Sequence, residues 1–120
     1  VEAWLDGALV GGLYGLSLGS AFFGESMFSR EPDASKAAFI PFVWALAEAG
    51  CTLVDSQVYT DHVASLGGKS VRRDEYLAML ERALASPTIK GDWAAAFPSF
   101  PSSRPWLELC EGGVSEVSST

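Results

Sequence analysis

The segment Phe22 to Arg30, FFGESMFSR, places one carboxylate and one guanidinium inside an apolar, aromatic pattern that is typical of a strand. A buried carboxylate without a partner costs several kcal/mol. Glu25 must therefore pair with an arginine such as Arg30, accept hydrogen bonds, lie exposed at a strand end, or face a cavity that receives a cationic group. The combination favours a pocket over a plain core.

A second polar pair lies in Cys51 to Val58, CTLVDSQV, which we interpret as a strand that is buried near its middle. Side chains two residues apart on a strand point to the same face. Asp55 and Gln57 are therefore predicted to project together. The same pattern also fits a carboxylate at a strand end that is capped by a local amide, so both interpretations stay open at this point.

The remaining reactive residues do not form a recognisable catalytic set. The single histidine, His62, has no second histidine with which to bind a metal. Ser26 and Ser29 show no serine, histidine and aspartate pattern. Cys51 and Cys110 are too few and too far apart to indicate a disulfide framework, which favours a reducing cytoplasm.

Composition limits the classes of function. The 120 residues are 48% apolar and 12% aromatic, which suits one domain with a core. A formal charge of -7, from 15 acidic and 8 basic residues, argues against nucleic-acid binding by this chain alone. The chain has no initiator Met, no signal peptide and no run of 18 apolar residues, so we expect a soluble protein with a truncated start.

The first thirty residues predict a three-stranded antiparallel meander. Asp6-Gly7 is a dipeptide favoured in tight hairpin turns, and it separates Val1 to Leu5 from Ala8 to Tyr14. Gly11, Gly12 and Gly15 predict a bulge or a close approach of another backbone or a ligand. After the turn at 17–20, Ala21 to Met27 supplies the third strand.

Two helices should follow. Asp33 or Ser35 can accept from the free amides of a first turn, and Ala37, Ile40, Trp44 and Ala47 recur at helical spacing up to about Ala49, with Gly50 just past the end. Pro41 predicts a kink or a displaced start.

Asp61 to Leu66 predicts a short helical turn, and Val71 a brief strand. Arg73 to Leu84 predicts a helix whose buried stripe is Leu77, Leu80 and Leu84. Residues 87–120 are predicted to be an irregular, Pro- and Ser-containing tail whose last residues are disordered. Its tryptophans, Trp93 and Trp106, either dock on the body or merely reflect composition.

Three blocks now stand in order along the chain: GGLYG at 11–15, GESMFSR at 24–30 with DASK just after it, and DSQVYTDHVASLGG at 55–68. Together they resemble the leucyl/phenylalanyl-tRNA-protein transferase family, over about Val1 to Leu84. The resemblance implies an enzyme that moves Leu or Phe from an aminoacyl-tRNA onto proteins that begin with Arg or Lys, which marks them for degradation.

The resemblance also implies a fold and partners. Residues 1–86 would form an α+β catalytic domain similar to the GNAT acetyltransferases, with a mixed sheet, an antiparallel meander and flanking helices. Family members carry a preceding domain that helps to bind the tRNA acceptor end, and we expect it to be absent from this chain. No cofactor and no metal are expected, because an aminoacyl ester is already activated.

Site roles follow from the resemblance residue by residue. Gln57 would hydrogen-bond the incoming amine, Asp55 would orient it and stabilise positive charge, and Thr60 would donate to the oxyanion. Glu25 would attract the N-terminal Arg or Lys of the acceptor. The pocket for the transferred side chain would be lined by Leu13, Phe22 and Met27, although spacing alone would place them in a core.

Two other functions compete with this one. A CoA-dependent acetyltransferase would share the fold, but it needs a glycine-rich turn to hold the pyrophosphate at a helix N-terminus, and Arg30 to Lys36 contains no glycine. A non-catalytic domain that binds N-terminal residues, or an inactive fragment, is the second alternative.

Overall fold

The first thirty residues form the antiparallel meander that the sequence predicts. In the computed structural model, which describes residues 1–97 and 116–119, strand β1 spans Glu2–Leu5, β2 spans Ala8–Leu18 and β3 spans Ala21–Ser29. Asp6 and Gly7 have φ values of 50° and 79°, as the two central residues of a tight hairpin turn require. The predicted hairpin is confirmed.

The glycines of β2 mark a close approach, as predicted, and β2 runs through them to Leu18, beyond the predicted end at Tyr14. A Cβ atom added at Gly11 would lie 2.7 Å from the carbonyl carbon of Ala34. Ala34 is the first residue of helix α1, which spans Ala34–Glu48. The missing side chain therefore lets the helix start directly against the strand.

The start of α1 is capped differently from the prediction. Asp33 precedes the helix in a left-handed conformation, with φ of 61° and no side-chain capping bond; its carboxylate binds Lys36 Nζ at 2.8 Å. Ser35 donates its backbone N–H to Ser29 Oγ at 3.2 Å. The hydroxyl that caps the helix thus comes from the end of β3, and the prediction that Asp33 or Ser35 would accept is wrong.

Helix α1 continues through Pro41, so the predicted displacement of its start is wrong. Gly50 follows the helix with φ of 87°, as predicted for the residue past the end. Ala37 and Ala47 are exposed. The face that builds the core is formed instead by Ala38, Phe39, Phe42, Val43 and Leu46.

Three further strands complete the described sheet: β4 spans Leu53–Asp55, β5 spans Lys69–Val71 and β6 spans Glu116–Ser119. The sheet is mixed, because it contains both antiparallel and parallel pairs. The strand order is β1-β2-β3-β4-β6-β5. The pairs β3/β4, β4/β6 and β5/β6 are parallel. The predicted α+β class with a mixed sheet is confirmed.

Helices α2 and α3 span Asp61–Ser65 and Arg73–Leu84, as predicted. The predicted buried stripe of α3 is wrong, because Leu77 and Leu84 are 47% and 49% exposed. The helix packs through Tyr76, Met79, Leu80 and Ala83 against Ala21 and Leu53. Leu80 is the one correctly predicted member.

The described part of the tail after Ser86 contains two elements where irregular chain was predicted: β6 and a short helix, α4, at Trp93–Ala96. Trp93 docks on the body, with ring centroids 6.3 Å from Phe22 and 6.2 Å from Phe42. The prediction that the last residues are disordered is wrong for 116–119, which form β6. Trp106 and the other residues of 98–115, together with residue 120, lie outside the described residues. In the described part of the chain, no helix is long and apolar enough to cross a membrane.

Candidate functional site

A cavity of about 300 Å³ opens where β4 ends beside a longer strand. Asp55, the last residue of β4, pairs with Phe23, whereas β3 continues to Ser29. The cavity lies between this continuation of β3 and the chain after Asp55. Its lining contains six of the seven residues that the sequence proposed for the site: Leu13, Phe22, Glu25, Met27, Asp55 and Thr60.

The inner wall of the cavity is apolar. Leu13 and Phe22 are 6% and 5% exposed, so they belong to the core and to the cavity lining at once. Phe42 contacts Phe22 edge-on, with centroids 4.9 Å apart and an interplanar angle of 79°, an arrangement that fixes the ring. Met27, half-buried, adds a flexible wall.

Glu25 lies in a β-bulge. The register between β2 and β3 passes from Tyr14 opposite Ser26 to Gly15 opposite Gly24, so Glu25 is the extra residue and has no partner on β2. A bulge redirects the side chain of its extra residue. Glu25 is exposed and lines the cavity. Facing a cavity is one of the alternatives that the sequence left open, and it does not exclude the hydrogen-bonded one.

Glu25 does not form the ion pair with Arg30 that the sequence left open, as far as the described residues show. The described ion pairs do not include one between Glu25 and Arg30, and the Arg30 guanidinium lies 6.0 Å from the centroid of the Phe28 ring. Glu25 Oε1 instead accepts from Gln57 Nε2 at 2.9 Å. The partner of the carboxylate is thus a neutral amide.

Gln57 reaches the site through a turn, so the prediction that it shares a strand face with Asp55 is wrong. The strand stops at Asp55, Gln57 has φ of 64°, and Val58 N–H donates to the Ser56 carbonyl at 2.7 Å. An i to i+2 bond around a positive φ defines the rare, strained form of γ-turn. Such strain in a non-glycine residue is common at functional sites.

Hydrogen bonds fix both ends of Gln57. Its backbone N–H donates to Asp55 Oδ1 at 2.7 Å, and its Nε2 donates to the Gly24 carbonyl at 2.9 Å as well as to Glu25. Both hydrogens of the amide group are thus engaged, which leaves Oε1 as an acceptor.

Asp55 lies beneath this turn. Leu53 packs against α3, and a residue two positions along the strand shares its face. Asp55 Oδ2 accordingly accepts from the Tyr76 hydroxyl at 2.6 Å, and only 3% of Asp55 is exposed. The carboxylate therefore supports Gln57 from behind.

Thr60 and His62 also line the cavity. Thr60 precedes α2, and its Oγ1 accepts from Val63 N–H at 3.1 Å. Thr60 thus caps the start of α2, an ordinary structural role that leaves its hydroxyl hydrogen available to donate. His62 is exposed, and the described residues contain no group of His, Cys, Asp and Glu that could hold a metal.

The described lining carries Glu25 and Asp55 but no lysine or arginine. Such a surface favours a cationic ligand at the mouth and an apolar group deeper in. Cys51 lies outside this lining. Burial raises the pKa of its thiol, and its Sγ donates to the Leu53 carbonyl at 3.3 Å, which marks a structural cysteine.

Sequence reasoning missed several contributors, of which three have a definite contact or position to report. Phe39 extends the apolar wall from α1, Ser56 contributes a buried hydroxyl with no described partner, and Tyr76 donates to Asp55. Only Tyr76 carried a usable signal: a tyrosine on the packed face of a helix needs a partner for its hydroxyl.

Fold and site together define an α+β domain with a small cavity that is apolar inside and has the carboxylate of Glu25 at its mouth. The family profile of leucyl/phenylalanyl-tRNA protein transferase matches residues 1–81. The chain is 54% identical over 101 residues to a leucyl/phenylalanyl-tRNA--protein transferase of Anaeromyxobacter sp. (strain K), covering 84% of this chain and 43% of that protein.

Two further relatives carry the same name. The protein of Syntrophus aciditrophicus (strain SB) is 51% identical over 94 residues, covering 78% of this chain and 39% of the relative. That of Myxococcus xanthus (strain DK1622) is 50% identical over 101 residues, covering 82% and 43%. The chain belongs to the leucyl/phenylalanyl-tRNA protein transferase family, and it spans less than half the length of these relatives.

Proposed function

We propose that the protein containing this chain transfers Leu or Phe from an aminoacyl-tRNA to proteins whose first residue is Arg or Lys. The observation that carries the proposal is the composition of the cavity, which is apolar inside and has Glu25 in its lining. Gln57 is not a lining residue, but its amide donates to the Glu25 carboxylate. Family membership supports the same reaction class.

The transferred Leu or Phe side chain would occupy the apolar part, against Leu13, Phe22 and Met27. Burying a leucine or phenylalanine side chain contributes about 1.5–3 kcal/mol. Phe22 is fixed by Phe42, whereas Met27 has a flexible side chain. One rigid and one adaptable wall would admit both a branched and an aromatic substrate.

The acceptor would enter at the acidic rim. Its cationic side chain would pair with the Glu25 carboxylate, whose Oε1 already accepts from Gln57 and whose Oε2 has free lone pairs. Its neutral α-amine would donate to Gln57 Oε1. An amide oxygen is too weak a base to remove a proton effectively, so Gln57 would position the amine at about 3–3.5 Å from the ester carbonyl.

The chemical step needs few groups. The amine nitrogen forms a bond to the ester carbonyl carbon, the ester C–O bond breaks, and the proton lost by the amine ends on the ribose hydroxyl of the departing tRNA. Asp55 would stabilise the positive charge that develops on the amine before proton loss. Thr60 would donate its free hydroxyl hydrogen to the carbonyl oxygen as that oxygen becomes negative.

We also propose that residues 1–86 are a GNAT-like catalytic domain. An antiparallel meander followed by a helix and a parallel strand supports this assignment. Aminoacyl-tRNA would be held mainly by parts of the longer protein outside this chain, since the net charge of -7 gives the chain no electrostatic attraction for phosphate.

Acceptor selectivity tests the proposed function. With the full-length protein and labelled Leu-tRNA, we expect transfer to a peptide that begins with Arg and none to the same peptide beginning with Ala. Glu25→Gln should raise the KM for the Arg peptide about tenfold, because a neutral amide replaces the charged partner. Glu31→Gln, an exposed carboxylate outside this cavity, is the matched control.

Two results would contradict the proposal. One is equal transfer to the Arg and Ala peptides by the unmodified protein. The other is a Glu25→Gln protein that keeps the original KM for the Arg peptide while the control behaves identically.

A further inference from the structure

Tyr76 connects the site to a helix that contributes nothing else to it. The residue lies on α3 and packs with Ala21 and Leu53, while its hydroxyl donates to Asp55 Oδ2 at 2.6 Å. Residues of α3 are missing from the described lining of the cavity. The hydroxyl is thus a contact between α3 and the site that ring packing alone does not require.

Asp55 also contacts Gln57, the residue proposed to hold the amine. The second oxygen of Asp55 accepts from the Gln57 backbone N–H at 2.7 Å, and Gln57 has the strained positive φ described above. A carboxylate that is fixed by one strong donor presents its other oxygen in a defined direction. Tyr76, Asp55 and Gln57 therefore form one hydrogen-bonded chain from α3 to the rim of the cavity.

Burial strengthens the restraint that these linked hydrogen bonds place on Gln57. With 3% exposure, Asp55 has little water to replace a lost partner. Removing the Tyr76 hydroxyl would leave Oδ2 unsatisfied and free the carboxylate to rotate, which would release the N–H that holds the γ-turn. The strained conformation of Gln57 would then relax toward ordinary backbone angles.

We propose that Tyr76 is a positioning residue for the transfer reaction, which acts through Asp55 to hold Gln57 in its strained turn. The inference rests on the proposed function for its kinetic part. Its structural part, the restraint of Gln57, stands independently of transfer activity.

The kinetic test uses Tyr76→Phe in the full-length protein. Phenylalanine keeps the ring packed against Ala21 and Leu53 and removes only the donor. We expect kcat to fall about tenfold, with the KM for the Arg peptide within twofold, because the lost bond to a buried carboxylate affects positioning rather than binding. Tyr14→Phe, whose residue is 65% exposed, should leave kcat unchanged.

A double-mutant cycle separates positioning from a general effect on the fold. In an Asp55→Ala background, Tyr76→Phe should cause no further loss of kcat, because residues that act as a unit are not additive. An equal tenfold loss in both backgrounds would overturn the proposal. So would full activity of Tyr76→Phe in an otherwise active protein.

Hydrogen exchange tests whether Tyr76 restrains Gln57, and it does not depend on transfer activity. If the unmodified protein transferred nothing, the proposed function would be wrong, but this structural test would still apply. We expect the Gln57 amide to exchange at least tenfold faster in Tyr76→Phe, with the core amide of Leu46 unchanged. Unchanged exchange at Gln57 would show that Tyr76 does not hold the turn.

Discussion

At the scale of single residues, Gln57 combines a strained backbone with a fully oriented side chain. Its φ of 64° costs of order 1–3 kcal/mol in a non-glycine residue, and bonds to Asp55, Gly24 and Glu25 offset this cost. The orientation of the amide oxygen is therefore set before any substrate arrives. Such preorganisation is what positioning catalysis requires.

Two single variants, in which either alanine or glycine replaces Gln57, separate the effect of backbone strain on stability from the effect of the side chain on activity. Both Gln57→Ala and Gln57→Gly remove the side chain, but only glycine accepts positive φ without cost. We expect Gln57→Gly to be more stable than Gln57→Ala by about 1 kcal/mol in urea unfolding, and both to lose transfer activity. Equal stability of the two variants would argue against a strained turn.

The sequence predicted that Asp55 and Gln57 lie together, but for a partly wrong reason. Asp55 and Gln57 are neighbours, but a turn brings them together instead of a shared strand face. A period-2 pattern cannot show where a strand stops, because the stop at Asp55 depends on pairing with Phe23, 32 residues earlier in the chain. The link to Tyr76 is equally non-local, since the partners are 21 positions apart in the chain.

At the scale of elements, the contact between α1 and β2 positions the inner wall of the cavity. The helix approaches Gly11 so closely that a methyl group would meet the Ala34 backbone at 2.7 Å. On the same helix, Phe39 lines the cavity and Phe42 contacts the ring of Phe22. The geometry of the apolar wall therefore depends on this approach.

An added methyl group tests that dependence. Gly11→Ala should lower the free energy of unfolding by about 2 kcal/mol, because backbone atoms cannot yield as a flexible side chain can. Gly24→Ala is the matched control, since its nearest contact is the Asp55 carbonyl oxygen at an ordinary 3.6 Å, and it should change stability by less than about 0.5 kcal/mol. Similar losses in thermal or urea unfolding would contradict the close approach.

Helix positions were predictable from the sequence, whereas one helix face was not. The helical spacing of its leucines predicted the helix from Arg73 to Leu84 correctly. The leucines at 77 and 84 nevertheless face outward, because α3 meets the sheet through Ala83, whose carbonyl accepts from Ser20 N–H at 2.9 Å. A small residue permits this contact between backbones, and a count of apolar side chains does not reveal it.

At the scale of the whole molecule, the sheet gathers three separated sequence blocks around one cavity. Leu13, Glu25 and Asp55 come from β2, β3 and β4, which are adjacent in the strand order. Order and spacing of the blocks predicted the family, and the meander predicted most of this neighbourhood. The insertion of β6 between β4 and β5 pairs residues that are 62 positions apart with β4 and 48 positions apart with β5, and short-range patterns carry no sign of it.

The central claim is that Asp55 and Gln57, held together at the end of β4, position the acceptor amine for transfer. Its most direct test is the rate of labelled Leu transfer from Leu-tRNA to an Arg-starting peptide by the full-length protein in which both residues are alanine. We expect kcat to fall at least a hundredfold, with the protein still folded by circular dichroism. Full transfer activity in that variant would contradict the account.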